Sequence, residues 1–421
     1  MKSARLTTVL TGPLLGLAVA CGHSGSPSSA GTDAGGTDGS GEPWVRPPAE
    51  WAQAAFIDAH MHCGLSEAAC SGQRCCDFSG FAGLAPAREG RAVLLSNEYW
   101  RVNDSLFEPQ FQDYFEGLND AYLATAATEP NAIAFVGLRC LYQEKLDDAW
   151  AAKCKAEAKN WVTQGALGFK DHIGKQFESG DVEAGYFLGG WNRFNGFCQV
   201  MPGSSTPNSD CMQQPTVRYL ALEPAWREVL RYILEELRVP IVSHAASYDG
   251  AATTCYDPTT SQVAPCAQVT REHQLLLAEW LGSHVPPEAR RRFIVAHMGF
   301  MTKDAAGLTR MLDTGVSTDT ARFEAFAVAG CAGRALVAAY PKQLVFGTDR
   351  RVDQNCLPSS YDAFLHALQG PVGVSKSFTS CWGTSDTTGM QLADPKVPGC
   401  ADVPPGVLDA VLKRNFLSLY P

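Results

Sequence analysis

From about residue 54 the chain alternates short apolar runs with longer amphipathic stretches. The runs are Ala55–Ala59, Ala92–Leu95, Ile133–Leu138, Ala166–Phe169, Pro240–Val242, Phe293–Ala296, Gly315–Thr318 and Gln343–Phe346. Each is short enough to be a strand buried on both faces, as parallel strands are. Helix-like segments lie between them, among them Asp147–Val162, Glu223–Leu237, Arg271–Leu281 and Ala321–Ala339. Eight such alternations over about 350 residues predict an α/β protein, a (β/α)8 TIM barrel with insertions. A doubly wound open sheet is the alternative, but no Gly-rich phosphate loop follows any early strand.

Three insertions, 63–91, 174–223 and 245–268, follow the first, fourth and fifth runs. Loops in those places lie on the catalytic face of a barrel. They carry Cys63, Cys70, Cys75, Cys76, Cys198, Cys211, Cys255 and Cys266. Long loops with little apolar content need pinning, and local pairs Cys198–Cys211 and Cys255–Cys266 are expected. Reading Cys70, Cys75 and Cys76 as a zinc knuckle fails for want of a matching second pair.

The N-terminus changes the picture. Residues 1–20 read as an export signal: Lys2 and Arg5 precede an apolar stretch, Val9 to Ala20, too short to span a bilayer stably. The run ends Leu17-Ala18-Val19-Ala20-Cys21, which resembles a bacterial lipobox with Cys21 as the acylated residue; an ordinary cleavage site after Ala20 is the alternative. The chain has 15 cysteines, an odd number that Cys21 would make even. So many cysteines suit an oxidising compartment, and the chain is expected to be an exported, membrane-anchored lipoprotein or else secreted. Residues 21–50, rich in Gly, Ser and Asp, read as a flexible tether, leaving 51–421 as the folded domain. The net charge of −10 argues against nucleic acid or an anionic membrane surface as a partner. The expected membrane contact is the lipid anchor alone, and nothing in the sequence speaks to oligomeric state.

Candidate chemistry gathers at the ends of the apolar runs. His60 and His62 are two apart on the first strand and so share a face. His244 ends the fifth run, His297 follows the sixth, and Asp349 follows the last in Gly347-Thr348-Asp349. Any one of these has an ordinary explanation, a buried histidine or an aspartate N-cap. Together they supply the nitrogen and oxygen donors a catalytic zinc or similar ion prefers.

This set, Asp58-Ala59-His60-Met61-His62, His244, His297 and Gly347-Thr348-Asp349, resembles the amidohydrolase superfamily. It is most similar to the amidohydrolase-related branch that includes aminocarboxymuconate-semialdehyde decarboxylase. Gly165–Lys170 and the closing segment Leu412–Tyr420, with its Asn415, extend the resemblance over roughly residues 54–420. The resemblance implies that His60, His62, His244 and Asp349 bind a divalent metal, most simply one Zn2+ with Mn2+ as an alternative. Asp349 would also take a proton from the metal-bound water, and His297 would shuttle or orient protons. A second metal bridged by a carboxylated Lys170 fits the local pattern less well than a Lys170 that binds a substrate anion or stays ion-paired within the barrel. Arg350 is either a reader of a substrate carboxylate or, with Arg351, the start of a solvated helix. His172 reads as a loop residue, His273 as a helix residue and His284 as a loop residue, all without a role. Asn97 and Glu98, and rim-loop aromatics such as Trp100 and Trp191, are weaker candidates. The expected activity is hydrolysis of an amide, ester or lactone of a small molecule, with metal-dependent decarboxylation or an inactive binding lipoprotein as alternatives.

Overall fold

In a computed structural model, residues 35–37, 43–63, 65–66, 75–82, 89–96, 109–138, 140, 148–171, 198–200, 223–244, 254–257, 262–301, 304–321, 332–352, 361–362, 364–365, 368–369 and 402–421 are described. Eight parallel strands follow the apolar runs closely: β1 (Phe56–His62), β2 (Gly90–Leu95), β3 (Ala132–Gly137), β4 (Gly168–Asp171), β5 (Ile241–Ser243), β6 (Phe293–Val295), β7 (Ser317–Asp319) and β8 (Leu344–Val345), the last resuming as β9 (Arg350–Arg351). Their order in the sheet is β8-β7-β6-β5-β4-β3-β2-β1-β9. Because β8 and β9 are one stretch of chain, the sheet closes on itself. Its seam is held by Ala59 N–H to Phe346 C=O (2.8 Å) and Asp349 N–H to His60 C=O (2.8 Å). This is the barrel the alternation predicts, and it excludes an open sheet, which keeps two free edges.

Helices fill the crossovers: α1 (Pro109–Thr128), α2 (Asp148–Thr163), α3 (Pro224–Arg231), α4 (Cys266–His284), α5 (Ala305–Asp313) and α6 (Ala332–Ala339). The Asp304 side chain caps α5, accepting from Gly307 N–H at 2.9 Å. Gly165 and Gly315 have φ of +104° and +87° at the turns from α2 into β4 and from α5 into β7, positions where a Cβ is disfavoured. His284, expected in a loop, is the last residue of α4 and stacks on Trp280. Of the expected helix 321–339, only its C-terminal part is described.

Outward-facing strand residues such as Phe56, Leu94, Val136, Phe169 and Phe293 pack against these helices. The inward set, including Ile57, Ala59, Val93, Ile133, Phe135, Val242, Ile294 and Val345, forms the barrel interior. The same cluster contains Trp51, Phe416, Leu419 and Tyr420, so the segments before β1 and after β9 seal the end where the strands begin. Tyr420 donates its hydroxyl to Leu167 C=O at 2.8 Å, Arg292 donates Nε to Leu419 C=O at 2.6 Å, and Asn415 donates Nδ2 to Leu344 C=O at 2.7 Å. The functional end is thereby the other one, where the strands finish.

The insertions after β4 and β5 meet. Cys198–Val200, Thr254–Asp257 and Gln262–Pro265 form a three-stranded antiparallel sheet. Two disulfides are described, Cys63–Cys76 and Cys140–Cys154. The first pins the loop after β1 immediately beyond His62 and removes Cys76 from any zinc knuckle. The expected pairs Cys198–Cys211 and Cys255–Cys266 lie outside the described side chains, as do Cys21, Asn97, Glu98, Trp100, His172 and Trp191. Within the expected tether, Gly35–Thr37 pairs with Pro43–Trp44, and Val45 already packs against the core.

Candidate metal centre

Strand β1 does not keep a plain two-residue alternation. Asp58 pairs with Ala92 and Met61 with Leu94, three steps on β1 against two on β2, so one extra residue is inserted as a bulge. Ile57 and Ala59 belong to the interior cluster while Phe56 and Met61 face the helices. The bulge lets His60 and His62 both turn inward above an already filled interior.

Asp58 locks this bend. Its carboxylate accepts from His60 N–H (3.1 Å), Thr348 N–H (3.0 Å) and Thr348 Oγ1 (2.6 Å), tying β1 to the turn that carries Asp349. Asp349 itself has a φ of +54°, rare for a residue with a side chain. Gly347, one step earlier on the inner face, leaves room for its neighbours: a Cβ there would lie 2.9 Å from His60 Cβ and 3.2 Å from Asp319 Cβ.

After β6 the backbone makes a left-handed turn, with φ of +56°, +51°, +64° and +54° at His297, Met298, Gly299 and Phe300. Three of these four are not glycine, at a cost of roughly 1–2 kcal/mol each. Strain of this kind persists where the surroundings over-determine it. Here they do: His297 N–H donates to Asp319 Oδ1 at 2.8 Å, and the Phe300 ring packs on His297 and His244 with centroids 4.9 and 5.3 Å apart.

The polar groups converge at the mouth. Oδ1 of Asp349 lies 2.9 Å from His62 Nε2 and 3.4 Å from His60 Nε2, and its Oδ2 lies 3.9 Å from His297 Nε2. One donor atom each from His60, His297 and Asp349 falls within 4.8 Å of the others, and all three residues are buried. His244 stands beside them, its ring 4.8 Å from that of His297.

The tautomers fit a metal. Nδ1 of His60 faces Asp319 Oδ2 at 2.6 Å, and Nδ1 of His62 faces Leu95 C=O at 3.0 Å. Both partners only accept, so both Nδ1 atoms carry a proton and both Nε2 atoms point towards Asp349, the side from which an ion would be bound. Imidazole nitrogens so directed, next to an ionised carboxylate, suit a divalent ion of the zinc or manganese type.

Asp58 and Asp349 are driven apart. Burial pushes Asp58 up to about 7, against the pull of its hydrogen bonds from Thr348 and His60. Burial also works to raise Asp349, but His297, the His62 hydrogen bond and His60 outweigh it and hold the carboxyl well below the usual range. Asp349 is therefore the ionised member.

Of the remaining candidates, Lys170 is fully buried on β4, in register with Val242 of the interior cluster, so it faces into the barrel. Arg350 is buried on β9 opposite Met61, which overturns its reading as the start of a solvated helix; Arg351 is exposed at its side. Asp58 was legible only as part of a motif, without a role. Asp319 was not legible at all, because the seventh run reads as ending at Thr318; a carboxylate one residue past that run was the available signal.

No family model matches the chain, and no curated protein does. Among solved structures it is similar to 2,6-dihydroxybenzoate decarboxylase from Rhizobium, with 16% identity, a TM-score of 0.41, and coverage of 74% of this chain and 92% of that one. It is similar to a protein described as amidohydrolase II, with 12% identity, a TM-score of 0.46, and coverage of 87% and 99%. A third is 5-carboxyvanillate decarboxylase from Novosphingobium aromaticivorans, complexed with manganese and a nitrobenzoic acid, with 13% identity, a TM-score of 0.43, and coverage of 79% and 94%. The barrel assignment rests on this chain's own hydrogen-bonded strand order.

Proposed function

We propose that this protein is a divalent-metal-dependent enzyme of amidohydrolase type, acting on a small molecule through a carboxyl or carbonyl group. The observation that carries the reading is the convergence of His60, His62 and His297 nitrogens on the buried carboxylate of Asp349. His60, His62, His244 from β5 and Asp349 make the proposed donor set, with His297 beside it for proton transfer. When bound, the ion would polarise the substrate oxygen and lower the pKa of a water. Asp349, ionised and facing His297, accepts a proton at Oδ2, and His297 Nε2 is the next station for it. The apolar interior beneath excludes water from below.

Two reactions use such a site. Decarboxylation of a small organic acid is favoured by Lys170, a buried lysine facing the interior whose side-chain amine suits an anionic substrate. Hydrolysis of an amide, ester or lactone is favoured by the pairing of the Asp349 carboxylate with His297 Nε2, 3.9 Å from its Oδ2, as a route for the proton of an attacking water. The names of two similar solved structures set decarboxylation beside hydrolysis without deciding between them. A panel of aromatic carboxylates, amides, esters and lactones, assayed with zinc and with manganese for CO2 release and for hydrolysis, separates the two. Elemental analysis of the untagged protein is expected to find a divalent ion; a freshly folded sample free of metal and unable to take it up would refute the reading. Asp349→Asn is expected to abolish turnover of any substrate found, and survival of activity would refute its role.

We also infer export with acylation at Cys21. The Cys63–Cys76 and Cys140–Cys154 disulfides support an oxidising compartment. Mass spectrometry of the mature N-terminus tests it: an unmodified Met1 or an unacylated Cys21 would refute lipidation.

A further inference from the structure

Asp319 touches both halves of the site from β7. Its Oδ2 takes the Nδ1 proton of His60 in a 2.6 Å hydrogen bond, while Oδ1 accepts from the N–H groups of His297 at 2.8 Å and Ala321 at 3.1 Å. It is fully buried, and the missing side chain of Gly347 makes the space in which it meets His60. One carboxylate therefore fixes the ring of a strand-1 histidine and the start of the strained turn that presents His297.

We propose that Asp319 is a positioning residue: it sets the His60 tautomer and holds His60 and His297 in one register for a divalent ion. This rests on the metal reading above. His62 is held differently, by the backbone carbonyl of Leu95, which no substitution removes. His60 is thus the strand-1 histidine whose Nδ1 proton is held by a side chain rather than by the backbone. A carboxylate outside the coordination sphere that accepts from a ligating imidazole raises its basicity and fixes its orientation.

A purely structural role is separable. In Asp319→Asn, Oδ1 still caps the turn by accepting from His297 and Ala321. The amide nitrogen, however, donates, so Nδ1 of His60 has to accept and the proton moves to Nε2, where it blocks an ion. The test compares full-length wild type and Asp319→Asn, both metal-free. Histidine tautomers are read by 15N NMR, with the His60 signal assigned by its loss in His60→Gln, and zinc and manganese affinities by chelator competition. Wild type is expected to show His60 protonated on Nδ1. The variant is expected to melt close to wild type, show Nε2–H, and bind either ion about 10- to 100-fold more weakly. Unchanged tautomer and affinity in a folded variant would overturn the proposal. If the variant does not fold, the wild-type spectrum decides: Nε2–H at His60 overturns the proposal and Nδ1–H upholds it. Wild type that shows Nδ1–H yet binds neither ion would instead sink the metal reading.

Discussion

Gly347→Ala is the sharpest small perturbation of this site. The added Cβ would lie 2.9 Å from His60 Cβ and 3.2 Å from Asp319 Cβ. Carbons in ordinary contact sit about 3.5–4.0 Å apart, so His60 has to retreat by roughly 0.6 Å or more, and Asp319 by roughly half that. Neither has free space: both are buried, and Asp319 is hydrogen-bonded to the turn behind it. Metal bonds tolerate displacements of about 0.2 Å, and a preorganised constellation about 0.5 Å. The expected result is a drop in zinc or manganese affinity of about 10- to 100-fold, comparable to losing an outer-shell partner. Overpacking is expected to cost about 1–3 kcal/mol of stability as well. The two effects are read separately, affinity by chelator competition at neutral pH and stability by thermal melting of the metal-free protein. Affinity within about twofold of wild type in a folded Gly347→Ala protein would show that the His60–Asp319 contact does not govern ion binding, and the reasoning would fail.

Three further outcomes follow from the same structure. Metal removal by a chelator is expected to lower the melting temperature, and re-addition at about 1,000 times the dissociation constant to restore about 4 kcal/mol; a melt indifferent to zinc and manganese would contradict the proposed centre. Reducing Cys140–Cys154, or replacing both cysteines with serine, is expected to cost about 3 kcal/mol for a loop of this length, with an unchanged denaturation midpoint as the contrary result. Burial raises Tyr420 well above its ordinary value of 10.0. Its contribution is therefore fully present below about pH 10 and is lost as pH rises towards the folded value. Tyr420→Phe is expected to lose about 1 kcal/mol at neutral pH through the missing bond to Leu167 C=O, and to lose less than wild type on going above pH 10; parallel alkaline curves would refute this.

What the sequence shows and what it hides have different physical origins. Most of the strands are legible because a strand buried on both faces needs several apolar residues in a row, a local constraint; β7, Ser317–Asp319, is polar and is marked only by its place in the alternation. The histidines and Asp349 are legible because they sit where those runs stop, and parallel strands that stop together bring their ends together. The features that aim those side chains depend on partners far along the chain. The bulge in β1 puts His60 and His62 on the inner face, yet His-x-His reads the same with or without it. The left-handed turn at 297–300 is held by Asp319 and by packing of Phe300, and a propensity argument opposes it, since three of its four residues carry a Cβ. Asp319 extends the point. It is separated from His60 by 259 positions and from His297 by 22, and it acts through both contacts. The strands report where a site is; the long-range contacts of Asp58, Asp319 and Gly347 decide whether its nitrogens point the right way. A substitution in that second group is therefore expected to leave the barrel intact while weakening the ion, a separation that loss of a strand-interior residue such as Phe135 would not show.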